Sequence, residues 1–108
     1  MRTKMSDVGI YTTPQTLLHK MVDGRKSEGR EAFWDFSSHP KKIKVESGDK
    51  LWFATQNRWQ GYFIIEAVSR DIAGNVEEII FDSETWHPYK NTPAPRTPFQ
   101  GFTYRIPQ

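Results

Sequence analysis

One stretch of this chain carries a helical period, and several others alternate. Leu17, Leu18, Met21 and Val22 recur at i, i+1, i+4 and i+5, which makes one apolar stripe on a helix. Thr13-Pro14 starts that helix, a hydroxyl N-cap followed by proline at the first helical position, and Gly24 stands where a C-terminal cap is expected. The spacing predicts a short amphipathic helix over Pro14–Asp23, packed by its stripe onto a sheet. Val8–Thr12 before it reads as a short strand. Arg25–Arg30 is a charged turn. Glu31–Phe36, dense in aromatics, is a strand or an extended arm that Ser37–Pro40 breaks.

The centre of the chain is Lys41–Val68. Ile43 and Val45 alternate with Lys42, Lys44 and Glu46, as in a half-buried strand, and Ser47-Gly48-Asp49 is a turn. In Lys50–Thr55, Leu51 and Phe53 share one face, Trp52 and Ala54 the other, so both faces are expected to be covered. Gln56–Gln60 reads as a hairpin loop. Tyr62–Val68 is almost continuously apolar, the signature of a strand buried on both sides. Arg70–Asn75 is a turn, and Val76–Asp82 a further strand with Glu77 and Glu78 at an exposed end. Ser83–Phe99 holds Pro88, Pro93, Pro95 and Pro98, which excludes a regular helix or central strand; a loop of that length is often functional. Gly101–Ile106 closes the chain as a strand with Phe102, Tyr104 and Ile106 inward.

Short strands outnumber helices, and hairpins dominate the connections. The expected class is α+β, mainly β: a small, strongly bent sheet or partly open barrel of five to six strands, with the N-terminal helix plugging one end. At 108 residues the chain reads as a single domain over residues 1–108.

Composition changes this picture in two ways. Four Trp, seven Phe and four Tyr mean that large rings do most of the packing or line a site. No Cys is present, so there is no disulfide framework and no thiolate chemistry. With no apolar run of membrane-spanning length and no signal-peptide core, the expectation is a cytoplasmic protein without a membrane partner. The net charge is only +2 but uneven. Basic residues outnumber acidic ones from Lys20 to Arg58. Glu66, Asp71, Glu77, Glu78, Asp82 and Glu84 then face Arg70 alone, and Lys90, Arg96 and Arg105 follow with no acid. Such a chain presents either a basic face or an ordinary mixed surface.

The candidate chemistry is sparse. Lys26, Glu28 and Arg30 alternate, so an extended segment would project all three to one side of a cleft; the same residues also make an ordinary solvated turn. Lys beside Glu can work as an acid–base pair or hold an anion. Trp59 beside Arg58 in a polar loop, and Trp34 after it, are the rings expected to be exposed, where a base could stack next to phosphate contacts. Trp52 belongs to a core strand, and Trp86 pins the Pro-rich loop. His19, His39 and His87 are too dispersed for a metal site, so no metal or other cofactor is expected. Neither a Gly-x-Ser-x-Gly setting nor a phosphate-binding P-loop is present.

From Pro14 to Val68 the chain resembles the PUA-like superfamily, and within it the ASCH-type domains. The helix Pro14–Asp23 leads into Gly24-Arg25-Lys26-Ser27-Glu28-Gly29-Arg30. Val45, Gly48 and Asp49 then precede the strand Leu51-Trp52-Phe53, and Gly61-Tyr62-Phe63-Ile64-Ile65 follows. The resemblance implies a barrel of five or six strands with a cleft beside the helix. Relatives of this fold mostly bind RNA, and some recognise modified bases in DNA or RNA. A subset are small hydrolases of modified nucleosides, and by position Lys26 matches their lysine.

Three readings follow. The first is a nucleic-acid-binding module for RNA, DNA or a modified base, with Lys26, Arg30, Lys41, Lys42 and Arg58 meeting phosphates and Trp34 and Trp59 stacking. The second is a small hydrolase with Lys26 and Glu28 as its catalytic candidates. The third is a protein-interaction module, of the kind found in phages or mobile elements, that engages a partner through its Pro-rich loop and exposed aromatics.

Overall fold

The computed structural model describes residues 8–36, 44–56, 58–89 and 102–103. Within them run β1 (Val8–Tyr11), α1 (Pro14–Asp23), β2 (Ala32–Asp35), β3 (Lys50–Thr55), β4 (Arg58–Arg70), β5 (Val76–Phe81), β6 (His87–Pro88) and β7 (Phe102–Thr103). The class is mainly β with one helix, as the alternation predicts. No helix among the described residues is long and apolar enough to cross a membrane.

α1 starts where its sequence says. The Thr13 hydroxyl accepts the Thr16 N–H at 3.1 Å, and Pro14 opens the first turn without an N–H to leave unpaired. The stripe is narrower than its spacing implies. Leu17 is buried and Met21 packs against the core, whereas Leu18 is 59% and Val22 42% exposed. One helix lying on one sheet covers only the i, i+4 row, and each next residue is turned about 100° away. Gly24 does follow the helix, but its φ of −104° is not left-handed. Its glycine is required for another reason: a Cβ there would lie 2.2 Å from the Ala32 Cβ and 2.4 Å from the Ala32 nitrogen.

The helix end is tied down from sixty residues further along the chain. Ser83 is buried; its N–H donates to the Gly24 carbonyl at 3.0 Å, and its hydroxyl accepts the Gly24 N–H at 3.1 Å and donates to the Lys20 carbonyl. Glu84 accepts from the Ser27 hydroxyl at 2.6 Å and the Ser27 N–H at 3.1 Å. These contacts satisfy helix-end groups that would otherwise stay unpaired.

The strands form one mixed sheet of order β2-β5-β4-β3-β1-β7, with β6 added to the first half of β4. β1 runs parallel to β3, and the other pairings are antiparallel. β4 is 13 residues long; its first half pairs with β3 and β6, its second half with β5. Register shifts between Ile65 and Ala67 and between Ser69 and Arg70 bend that second half. The inner face encloses Val8, Ile10, Leu51, Phe53, Phe63, Ile65, Ile79 and Phe81, with Leu17 from the helix. Along the described strands the sheet stays open, ending at β2 on one side and β7 on the other.

Several expectations need correction. Lys44–Glu46 is not a strand: the Val45 carbonyl accepts from Arg70 at 3.0 Å and the Glu46 N–H donates to the Asp49 carboxylate at 2.9 Å, so side chains take the groups a ladder would use. Lys41, Lys42 and Ile43 lie outside the described residues. β4 is not buried on both sides; Phe63 and Ile65 are enclosed while Tyr62 and Ile64 are half-buried. Gln56–Gln60 is not all loop, because β4 already begins at Arg58. Glu77 and Glu78 are half-buried within β5 rather than at an exposed end. Of the Pro-rich loop, Ser83–Thr85 is a 3-10 turn and His87–Pro88 an edge strand, where proline costs no ladder bond; residues 90–99 lie outside the described set, as do 104–106 of the closing strand.

The turns behave as read. Gly48 has φ +95°, its N–H reaches the Ile65 carbonyl at 2.8 Å, and Asp49 is fully buried. In the β4–β5 turn, Gly74 has φ +88° and the Asp71 carboxylate accepts the Ala73 and Asn75 N–H groups at 3.0 and 2.9 Å.

Two substitutions test the helix attachment. Gly24→Ala drives a methyl into Ala32 and should lower the unfolding free energy by about 1–3 kcal/mol. Ser83→Ala leaves the Gly24 N–H unpaired in a buried place and should lower it by about 1–3 kcal/mol. Urea denaturation followed by far-UV circular dichroism reads both, and an unchanged midpoint in either variant would contradict the corresponding contact.

Candidate functional site

Adjacent residues of a strand point to opposite faces, and β3 uses that to build a second cluster. Phe53 points into the main core. Trp52 and Ala54 point outward and gather Trp59, with Tyr11, Tyr62 and Tyr89 packed around them. Trp52 and Trp59 meet edge to face at 6.1 Å, Trp52 and Tyr89 at 5.4 Å, and Trp52 lies 4.8 Å from Tyr62. Both tryptophans are 5% exposed. The tyrosines above them are half-buried and His87 is exposed, so the outer face is a layer of partly open rings over a buried indole floor.

A bulge makes this layer possible. Phe53 is opposite Gly61, but Ala54 is opposite Trp59, which leaves Gln60 as an extra residue in β4. In an even register Trp59 would share the inner face with Gly61 and Phe63. The extra residue turns it outward beside Trp52. The Gln60 carbonyl then accepts the Tyr89 N–H at 2.9 Å, which holds that ring over the floor. Gly61 follows; a Cβ there would lie 2.2 Å from the His87 carbonyl and 2.7 Å from the Trp86 ring, so only glycine lets β6 pass.

Tyr62 is the centre of the layer. From β6, the His87 ring stacks on it at 4.8 Å and 7°. From β3, the Lys50 ammonium sits 4.8 Å from its centroid. The Trp52 indole N–H is buried and has no hydrogen-bond partner among the described residues. Arg58 is exposed where β4 begins. The arrangement offers π-faces with cations beside them.

Among the described residues, those singled out from sequence do not gather at one site. Trp59 is buried, not exposed, because the bulge folds it under the tyrosines. Trp34 lies in edge strand β2, half-buried on the inner side, its ring 5.5 Å from Phe53 and 5.7 Å from the Lys20 ammonium. Trp34 and Trp59 therefore lie on opposite faces of β3 and cannot share one base. Trp86 packs on Phe63 at 4.8 Å, and its own chain continues directly into β6. Lys26–Glu28 is a 3-10 turn, so Lys26, Glu28 and Arg30 do not alternate along an extended segment. Glu28 is ion-paired with Arg30 and lies 3.8 Å from Arg25, all three about half exposed. Lys41 and Lys42 are outside the described residues.

Sequence reasoning missed Tyr62, His87, Tyr89 and Lys50. The signal for a covered outer face was present in Trp52 and Ala54, but the partners come from three other segments. Two shallow hollows elsewhere border α1. One is lined by His19, Lys20, Glu31, Ala32 and Phe33, the other by Gln15, Leu18, His19 and Val22. In the first, Lys20 donates to the Phe33 carbonyl at 2.6 Å, so its ammonium closes the β2 edge. No group of metal-ligating side chains occurs among the described residues. Known protein families, curated proteins and solved structures were all compared with the chain, and none matches.

A structural role for Trp59 has a direct consequence. Trp59→Ala empties the indole floor and should cost about 3–5 kcal/mol of stability, read by thermal or urea unfolding. A variant as stable as the parent would mean that Trp59 does not support the layer.

Proposed function

We propose that the chain is a nucleic-acid-binding module that takes a single strand across the outer face of β3, β4 and β6. The observation that supports this reading is the layer itself: Tyr62 and Tyr89 lie partly open over buried Trp52 and Trp59, exposed His87 stacks on Tyr62, and Lys50 sits at the Tyr62 ring. Stacking on aromatic side chains tolerates any base because every base has a π-face, and nearby cations meet the phosphates. Arg58, exposed at the start of β4, supplies a second cation. The partly open PUA-like barrel suggested by the Pro14–Val68 resemblance is the architecture this reading assumes, and RNA is the ligand it favours. Lys26, Arg30, Lys41 and Lys42 remain phosphate candidates within it. The hydrolase alternative has less support, since Glu28 is engaged with Arg30 and Arg25 on an exposed turn.

Anisotropy of fluorescein-labelled RNA and DNA 12-mers, single-stranded and duplex, tests the proposal over a salt series. Saturable binding to single strands that weakens with salt is expected, and Lys50→Ala and Arg58→Ala should each reduce the salt slope by about 1. Absence of saturable binding to every oligonucleotide at low salt overturns it.

A further inference from the structure

Resting on that reading, we infer that His87 is the plate on which one unpaired nucleobase stacks. Its imidazole is held in place before any ligand arrives. One face lies flat on Tyr62, 4.8 Å away and tilted by only 7°. Its Nδ1 is 2.6 Å from the Thr85 carbonyl. A carbonyl only accepts, so Nδ1 carries the proton of this bond.

The residue that orients the ring is itself fixed to the sheet. The Thr85 hydroxyl donates to the Asp82 carbonyl at 2.6 Å and accepts the Ile64 N–H of β4 at 3.0 Å, and the Thr85 N–H donates to Asp82 at 3.0 Å. Gly61, opposite Pro88 in the register, provides the close approach that seats β6 beside Tyr62. A ring already held by a stack and a hydrogen bond loses little rotamer entropy on binding.

Among the described residues, Tyr62 is the ring stacked on His87. His87 is exposed, and among the described residues β6 pairs with β4 alone. The ligand that fits is a flat heteroaromatic group presented by a flexible chain, which is an unpaired nucleotide. A base inside a duplex has both faces covered by its neighbours, so the plate selects single strands and ends. The floor of Trp52 and Trp59 holds Tyr62 rigid from beneath, and the stack continues from Tyr62 through His87 to the base.

The test compares two oligomers of equal length and phosphate number, single-stranded dA12 and the same backbone made fully abasic, by competition for the protein at one low salt concentration. His87→Ala should weaken dA12 binding about 5- to 150-fold, the usual loss for one base–aromatic stack, and leave abasic binding unchanged. His87→Phe, which keeps a flat ring, should stay within about threefold of the parent. Parent protein that binds neither oligomer overturns the nucleic-acid reading and this inference together. Parent that binds dA12 while His87→Ala binds it equally well overturns the stacking role alone. Equal losses of dA12 and abasic binding in His87→Ala also overturn it, because they would show a structural effect.

Discussion

The bulge at Gln60 is the constraint on which the outer half of this molecule depends. One extra residue between Trp59 and Gly61 reverses the direction of Trp59, and without that reversal the tryptophan would compete with Phe63 for the inner core. The same residue offers its carbonyl to Tyr89, and the next one, Gly61, leaves room for the His87 backbone. A single irregularity in one ladder thus sets the positions of Trp59, Tyr89 and β6. The large rings of the chain are divided between two clusters by the pleat of β3, whose neighbours Trp52 and Phe53 belong one to each.

The inner half depends on a different kind of contact. α1 buries only Leu17 fully and supports itself with Met21, which is little apolar area for a ten-residue helix. Ser83 and Glu84 supply the rest by binding its C-terminal end and the turn after it. This explains why the segment after β5 is a 3-10 turn: its first residues must reach back to Gly24 and Ser27 before the chain returns to pair with β4. The helix attachment and the outer ring layer therefore share one short segment, Asp82–Tyr89, in which Thr85 also orients His87.

The outer ring layer is packed from below by two buried indoles. Tyr62 packs on Trp52, and both the Lys50 ammonium and the His87 ring lie 4.8 Å from its centroid. Around the 3-10 turn after α1, by contrast, charged groups pair with one another. Glu28 is shared between Arg25 and Arg30, and Glu84 closes on Ser27. Ion pairs of this exposure contribute little to stability.

Local chemistry was legible from the residues alone. Thr13-Pro14 places the helix start, alternation places β3 to the residue, and Gly48 and Gly74 mark turns that need φ > 0, because each of these depends on a side chain and its immediate neighbours in the chain. The mainly-β class with one helix follows from the same patterns. Which side of the helix meets the sheet was decided elsewhere: Leu17 and Leu18 are equally apolar, and only the direction of the sheet chooses between them. Gly24 caps the helix as its place in the sequence implies, but the need for glycine there comes from Ala32, eight residues away. Trp59 looked exposed in a polar loop because its neighbours are polar, and the register across β3 and β4 buried it. The stacking role of His87 gave no signal, since Tyr62 adjoins it only once β6 has paired with β4. Sequence by itself determined the helix, β3 and the glycine turns, whose causes are local; tertiary structure decided the faces and the remaining strand bounds, because these are defined by what lies opposite them.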